Sequence, residues 1–229
     1  LRIGTVENHI LKHLPHWKLG WRTSMKTLKE LEKRIISLSY KKRLSHLGSC
    51  LTALPIIWGI HNLKKPKEVF ILSNGHAGLA LYVVLEKVYG HNAEKLFNKH
   101  GVHPNRDIRN HIWASTGSLG HGIGISVGMA LADRSRSVYC LLSDGECAEG
   151  SVWESLEIMR DQKVKNLKVF CNINNYGAYR KIDGKRLAKR LKEYGVKPVF
   201  TKFPDWKFIK DPQEFHYKVL SKEEYEQIK

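Results

Sequence analysis

The stretch SVYCLLSDGECAEGSVWESLEIMRDQKVKNLKVFCNINN, residues 137–175, decides the fold of this protein. It begins with a short apolar run at 137–142, continues with a helical pattern at 151–163 and closes with a second apolar run at 167–173. A strand, a helix and a strand in this order predict two parallel strands joined by a crossover helix. Parallel sheets are covered on both faces, so we expect an α/β protein with a parallel sheet and helices on both faces.

The chain before this stretch shows the same kinds of pattern. Apolar residues near a 3.6-residue period predict an amphipathic helix at 24–43, and an apolar segment predicts a second helix at 50–60. A short apolar run at 68–72 predicts a further strand, and helices are predicted at 77–90 and 122–134. The predicted elements therefore alternate as an α/β fold requires.

Length and composition indicate one domain. The chain has 229 residues, of which 42% are hydrophobic, which is enough to bury one substantial core. Residues 1–24 precede the first methionine and lack the pattern that follows, so we interpret them as an N-terminal extension of undetermined origin. The predicted domain is 25–229.

The charge of the chain limits its partners only loosely. A net charge of +17 suits nucleic acid, an anionic membrane or phosphorylated ligands, and charge alone does not choose among them. The basic residues are mixed with acids at helical spacing, which is typical of solvated helix faces, and no compact nucleic-acid motif is present. We therefore expect neither nucleic acid nor a membrane as a partner.

Apolar runs and cysteines indicate the compartment. The longest apolar stretch, at 50–60, is shorter than the roughly 20 residues of a bilayer span, and no secretory leader opens the chain. The four cysteines form no CxxC pair, which is typical of reduced thiols rather than of a disulfide framework or a zinc site. We expect a soluble cytoplasmic protein.

Two polar residues follow the two apolar runs of the opening stretch. Asp144 comes after the first run and Asn174 after the second, 30 positions later, which is the length of one strand-helix-strand unit. The carboxyl ends of parallel strands meet at one edge of the sheet, where ligands of such sheets bind. Carboxylate and amide oxygens suit Mg²⁺, and Gly145 lets the backbone approach a phosphate. The alternative is that Asp144 caps a helix and Asn174 serves a turn.

The same stretch resembles the metal and cofactor fingerprint of transketolases, a Gly-Asp-Gly followed about 30 residues later by Asn. Other segments resemble the same family and occur in its order. They are LSHLGSCLTALPIIW (44–58), ILSNGHAGLALY (71–82), GVHP (101–104), STGSLGHGIGISVGMALA (115–132) and EFHYKVLSKEEYEQIK (214–229). The resemblance implies the thiamine-diphosphate-binding fold of the transketolase diphosphate domain.

The resemblance implies roles for residues that match the family's motifs. Asp144, Asn174 and the backbone carbonyl of Tyr176 would bind a divalent metal, which is Mg²⁺ or else Ca²⁺ or Mn²⁺. His76 and Gly145 would contact the cofactor diphosphate. The residues placed against the aminopyrimidine are Gly117 and Leu119.

Further residues are assigned to the reacting end of the site by the same resemblance. His46, His103 and His121 would line the channel to the thiazolium carbon and exchange protons or hydrogen bonds with substrate hydroxyls. Glu149 would lie at a subunit interface, linked to the acid that activates the cofactor. Glu146 adjoins the metal motif, and we expect it to point away from the site.

The sequence also departs from the family's pattern. Ser143 stands where the family usually has glycine, and Leu47 where it often has proline. After Asp183 the chain is short, so we expect a domain shortened at its C-terminal end, with His216 as a weak candidate for the histidine that the family brings from this region.

The pyrimidine pocket of transketolases, with its activating glutamate, belongs to a second domain that this chain does not reach. The chain therefore resembles the N-terminal subunit of a split transketolase, and we expect a separate pyrimidine-domain subunit in an α2β2 complex. The implied activity is transfer of a two-carbon ketol unit from a ketose donor to an aldehyde acceptor, with sugars or sugar phosphates as substrates. Alternatives are a ketol or acyl transferase of a specialised pathway, acting on unusual or nucleotide-linked sugars, and a non-catalytic scaffold.

Overall fold

The computed structural model describes residues 25–229, so the N-terminal extension lies outside the described residues. Helices and strands alternate along the described chain. The helices are α1 (Met25–Lys41), α2 (Leu47–Leu63), α3 (Gly78–Tyr89), α4 (Ala93–His100), α5 (His121–Ala132), α6 (Gly150–Asp161), α7 (Gly184–Glu193) and α8 (Lys222–Ile228). The strands are β1 (Val69–Leu72), β2 (Val138–Ser143), β3 (Leu167–Ile173) and β4 (Lys197–Phe200).

The four strands form one parallel sheet in the order β1-β2-β3-β4. Val69 pairs with Val138, Val138 with Leu167, and Phe170 with Lys197, so the carboxyl ends of the strands meet at one edge. Every residue of β1 and β2 is buried, as continuous apolar runs in a parallel sheet predict. The predicted parallel sheet with helices on both faces is confirmed.

Alternate strand residues pack into two separate cores because side chains along a strand point to opposite faces. Phe70, Tyr139 and Phe170 pack on one face with the apolar residues of α1, α2 and α3. Val138, Cys140 and Cys171 pack on the other face with those of α5, α6 and α7. Helix α2 is buried along most of its length, whereas α5, α6 and α7 each keep an exposed side.

The region after Asp183 contains regular secondary structure. It holds α7, the fourth strand β4, a 3-10 turn at Pro212–His216 and α8. Ser221 caps α8 with a capping box, and Tyr225 of α8 stacks on Tyr40 of α1 with ring centroids 4.2 Å apart. The sequence analysis assigned no helix or strand to this region, and the expectation of a domain shortened at its C-terminal end stays a prediction. Helix α4 was also not predicted, because its eight residues are mostly polar and carry a short apolar pattern.

The four cysteines are free and buried, as the sequence predicts. Among residues 25–229, no helix combines the length and the apolar character that a membrane span requires.

Candidate functional site

A cleft of about 240 Å³ opens at the carboxyl edge of the sheet. The ends of β1, β2 and β3 form its floor, and the start of α2 and the loops at 103–119 and 176–182 form its walls. The residues that line it are His46, Ser49, Asn74, His76, His103, Gly117, Leu119, Ser143, Gly145, Glu146, Ala148, Glu149, Asn172, Asn174, Tyr176, Gly177, Ala178, Tyr179, Arg180, Ile182 and His216. The cleft therefore lies where parallel sheets bind their ligands.

Asp144 is held at the end of β2 by backbone donors. Its Oδ1 accepts a hydrogen bond from the N–H of Gly145 at 2.9 Å, and its Oδ2 accepts from the N–H groups of Asn174 and Asn175 at 3.0 and 2.7 Å. Burial raises the pKa of Asp144 to about 6, against the lowering effect of these N–H groups. The two strand ends are thus joined through one carboxylate.

Asn174 is also fixed, and both residues keep free acceptor capacity. The Asn174 Oδ1 accepts from the N–H of Tyr176 at 3.0 Å, and its Nδ2 donates to Thr52 Oγ1 at 3.4 Å. A carboxylate offers about four lone-pair positions and an amide oxygen two, so each side chain still has one available. The cap and the turn of the alternative interpretation are therefore present, and they leave room for a cation.

The donor set suits a hard divalent cation that keeps water or phosphate ligands. Among residues 25–229, no group of three or more His, Cys, Asp or Glu side chains could hold a metal alone. A site with one carboxylate, one amide oxygen and a backbone carbonyl is of the kind in which Mg²⁺ also binds phosphate oxygens.

Four histidines face the cleft. His46 precedes α2 with a left-handed backbone (φ 61°), a conformation that residues with a side chain rarely adopt. Its N–H donates to the carbonyl of His216 at 3.1 Å, and its ring lies 5.5 Å from that of His76, measured between centroids. His103 packs against Gly117, where a Cβ would approach the imidazole to 2.9 Å. Gly117 also has φ 151°, so both the space beside His103 and the backbone conformation require glycine at this position.

Three histidines of the cleft have lowered pKa values and are neutral at physiological pH. Burial lowers the pKa of His76 to about 3, with a further contribution from the neighbouring His46. The pKa values of His46 and His216 are lowered as well, with burial as the main cause. Neutral imidazoles can donate one hydrogen bond and accept another, which suits contact with substrate hydroxyls.

Glu146 corrects the prediction made for it. It does not point away but lies at the floor of the cleft, fully buried. Its carboxylate accepts hydrogen bonds from Ser73 Oγ at 2.5 Å and from the N–H groups of Gly120 and Ser143 at 2.9 and 3.3 Å. Burial raises its pKa to about 7. A 3-10 turn at Gly145–Ala148 returns Glu146 to the interior, and the sequence alone did not indicate this turn.

Several polar atoms of the cleft are buried without a partner among the described residues. They are both amide atoms of Asn74 and the Nδ1 atoms of His46 and His216. Unpaired buried polar atoms are costly, and native proteins satisfy nearly all of them. Their position in one cleft suits a polar ligand there.

The structure brings together most of the predicted site residues. Ten of them line the cleft or lie at its floor: His46, His76, His103, Gly117, Leu119, Asp144, Gly145, Glu149, Asn174 and Tyr176. His121 does not line it but is exposed as the first residue of α5. His216, a weak candidate in the sequence, lines the cleft and is buried. Asn74 was missed, although it lies inside the family-like segment at 71–82.

Comparison with known proteins identifies a family for this chain. The family described as "Transketolase, thiamine diphosphate binding domain" matches residues 64–199. The chain is 31% identical over 163 residues to one subunit of apulose-4-phosphate transketolase from Phocaeicola vulgatus, covering 62% of this chain and 57% of that protein. It is 39% identical over 121 residues to human transketolase, covering 47% of this chain and 19% of the human protein. The chain thus spans little more than half of the first relative and about a fifth of the second.

Solved structures show the same fold. A transketolase variant from Pichia stipitis superposes with a TM-score of 0.69 at 20% identity, over 90% of this chain and 40% of that one. Transketolase from Leishmania mexicana gives a TM-score of 0.67 at 18% identity, with the same coverage. The family match over residues 64–199 and the shared fold show that this chain belongs to the transketolase family, in its thiamine-diphosphate-binding domain.

Proposed function

We propose that this chain binds thiamine diphosphate with a divalent metal and forms the diphosphate-binding part of a transketolase-like transferase. One observation carries the proposal: motif residues from three strand ends meet in one cleft, and this cleft holds buried polar atoms that have no partner within residues 25–229. A family match alone would also fit a scaffold that has lost its ligand. A scaffold has no need for unpaired buried polar atoms, which are costly without a ligand.

The metal would bind at the ends of β2 and β3. Asp144 and Asn174 would supply side-chain oxygens, and Tyr176 would supply its backbone carbonyl from the start of the next loop. A bound cation would also favour the ionised carboxylate of Asp144, whose pKa burial raises to about 6. Mg²⁺ is our first expectation, and Ca²⁺ and Mn²⁺ accept the same ligands.

The diphosphate would lie in the cleft beside the point where the turn after β2 meets the loop after β3. An ideal Cβ on Gly145 would lie 3.5 Å from the Cα of Gly177, so the two backbones are in contact at a pair of glycines. Backbone can approach a phosphate closely at such positions because no side chain intervenes. His76 lines the same cleft and would contact the diphosphate as a neutral donor.

The remaining cleft residues would surround the reacting end. Gly117 and Leu119 would lie against the aminopyrimidine. His46, His103 and the newly placed His216 would hydrogen-bond substrate hydroxyls and move protons to or from them. His121 would reach this region only through a change at the start of α5, because it is exposed there. Glu146 would hold three of the site's segments together through its bonds to Ser73, Gly120 and Ser143.

The reaction that we propose is ketol transfer between sugars. Thiamine diphosphate supplies a carbanion-stabilising thiazolium when it is bound, and the protein supplies orientation and proton transfer. The donor would be a ketose or a ketose phosphate and the acceptor an aldehyde. The free, buried cysteines suit a reducing compartment, so we place the reaction in the cytoplasm.

A partner chain would complete the site. The relative from Phocaeicola vulgatus is named as one subunit of its transketolase, which supports a two-chain assembly here. Glu149 is exposed at the rim of the cleft, where a partner could reach it. We propose that this partner is a pyrimidine-domain chain and that the two form an α2β2 complex.

Calorimetric titration tests the proposal. Thiamine diphosphate with Mg²⁺ is titrated into the chain, alone and mixed with a candidate pyrimidine-domain protein, and Asp144→Asn serves as the variant. We expect binding that needs Mg²⁺, strengthens with the partner and is lost in Asp144→Asn. Absence of binding by the folded, associated wild-type pair would leave the scaffold interpretation.

A further inference from the structure

The loop between Asn174 and Ile182 forms a small hairpin at the mouth of the cleft. Tyr176 and Lys181 form an antiparallel bridge, the N–H of Gly177 donates to the carbonyl of Arg180 at 2.8 Å, and the N–H of Ile182 donates to that of Asn175 at 2.8 Å. We refer to Tyr176–Lys181 as the cleft hairpin. Its backbone is closed by these bonds and does not form an open loop.

The cleft hairpin is fixed to the rest of the domain on two sides. The hydroxyl of Tyr217, the residue after His216, donates to the carbonyl of Ala178 at 2.9 Å. The ring of Tyr176 lies 5.7 Å from that of Phe203, which in turn stacks on Phe215 with centroids 4.7 Å apart. The backbone of the cleft hairpin is thus held in place beside the cleft, so little backbone freedom is lost when a ligand binds there.

Arg180 is the charged residue of the cleft hairpin that lines the cleft. It is the single lysine or arginine among the described residues that line the cleft. Its guanidinium lies 5.8 Å from the centre of the Tyr179 ring, and it forms no ion pair among residues 25–229. The cleft histidines with lowered pKa values are neutral, so Arg180 brings the full positive charge that the cleft otherwise lacks.

We propose that Arg180 forms a phosphate-binding subsite at the mouth of the cleft. A guanidinium presents its N–H groups in a planar fork that matches phosphate oxygens, which a lysine or a neutral histidine does not. Gly177 in the same hairpin is in contact with Gly145, so the subsite adjoins the part of the cleft assigned to the diphosphate. This inference rests on the proposed function for the source of the phosphate, which is either the thiamine diphosphate or a phosphorylated sugar.

Inorganic pyrophosphate without metal is the first probe, titrated into the full chain by calorimetry. We expect Arg180→Gln to weaken pyrophosphate binding about tenfold or more, because a charge-assisted hydrogen bond is lost. The matched control is Lys181→Gln, which removes an exposed charge from the adjacent hairpin residue that does not line the cleft. It should change the affinity less than about twofold, since Lys181 does not line the cleft and solvent screens its charge from a ligand there. Equal losses in both variants, or no binding by the wild type, would overturn the subsite.

Two further titrations identify the source of the phosphate. Weaker binding of thiamine diphosphate with Mg²⁺ in Arg180→Gln would assign the subsite to the cofactor. Intact cofactor binding with weaker binding of xylulose 5-phosphate, and no change for xylulose, would assign it to a substrate. Asp144→Asn separates the two proposals, because it should abolish Mg²⁺-dependent cofactor binding and leave metal-free pyrophosphate binding in place. Thermal unfolding of each variant confirms that it is folded.

Discussion

The polar side chains at the two ends of the sheet differ in whether they have hydrogen-bond partners. At the amino ends, the Tyr139 hydroxyl donates to Glu68 at 3.4 Å, and Lys168 Nζ donates to that hydroxyl at 3.2 Å and lies 4.9 Å from the Tyr139 ring. At the carboxyl ends, Asn74, His46 and His216 have buried polar atoms without a partner among the described residues. The three groups named at the amino ends are paired with one another, whereas the unpaired atoms at the carboxyl ends suit a bound polar group.

Helix α2 shows the same contrast along its length. His46 precedes its first residue at the cleft, with Nδ1 unpartnered among the described residues. His61 lies in its last turn at the other end of the sheet, where Nδ1 bonds to the carbonyl of Ile57 at 2.9 Å and the ring packs edge-on against Phe70. This contrast indicates that a buried imidazole nitrogen does not by itself identify a functional histidine. A nitrogen paired within the chain is typical of a structural histidine, and an unpaired one is typical of a binding histidine.

The largest effect on stability is expected at Asn172, a buried asparagine of β3 that lines the cleft and has a partner at each of its two amide atoms. Its Nδ2 donates to Thr52 Oγ1 at 3.0 Å, and its Oδ1 accepts from Thr201 Oγ1 at 2.5 Å. Asn172→Ala breaks both bonds and leaves two hydroxyls without this partner, so we expect the free energy of unfolding to fall by about 3 kcal/mol. Urea unfolding of the variant and the wild type measures this change in the free energy of unfolding. A fall below about 1 kcal/mol would show that water replaces the amide.

The next effect is a pH dependence from His61. Burial lowers the pKa of His61 to about 4, below the value of about 6.5 in the unfolded chain. The unfolded state therefore binds more protons between these values, and stability is lost as the pH falls from 6.5 towards 4. From pH 7 to pH 5 the loss due to His61 is about 2 kcal/mol.

His61→Gln isolates this contribution. The glutamine amide can still donate to the Ile57 carbonyl but does not titrate. The free energy of unfolding of the variant should therefore fall less than that of the wild type between pH 7 and pH 5. The comparison of the two proteins is necessary because Asp144 and Glu146 have raised pKa values and act with the opposite sign. Parallel pH profiles of the two proteins would refute the assignment of a buried neutral imidazole.

Asn74 is the matched partner of Asn172 and is expected to show the reverse behaviour. Both are buried, with 0% and 1% of their surface exposed, but both amide atoms of Asn74 lack a partner among the described residues. Asn74→Ala should therefore change the free energy of unfolding by less than about 1 kcal/mol. Its affinity for thiamine diphosphate with Mg²⁺ should fall about five- to tenfold, the value of one neutral hydrogen bond. A stability loss equal to that of Asn172→Ala would place Asn74 among structural residues.

Residues whose role follows from local pattern could be predicted from the sequence. The strands at 138–143 and 167–173 are continuous apolar runs, and Asp144 and Asn174 follow directly from where those runs end. The sequence did not indicate that Glu146 turns inward or that Asn74 stays unpaired. Both depend on a 3-10 turn and on loops packed from other parts of the chain, and such long-range packing leaves no periodic pattern. The roles assigned to the site residues remain predictions until binding is measured.

The smallest effect is expected at the amino ends of the strands. A substitution there tests whether this end of the sheet is independent of cofactor binding. Lys168→Met removes the charge over the Tyr139 ring and the bond to its hydroxyl but keeps the apolar stem of the side chain. A partly exposed contact of this kind is worth less than about 1 kcal/mol, so the free energy of unfolding should hardly change. Thiamine diphosphate affinity should not change at all, because the contact lies at the opposite end of the sheet from the cleft. If this variant weakened cofactor binding as much as Asn74→Ala does, the separation of the sheet into a structural end and a binding end would not hold.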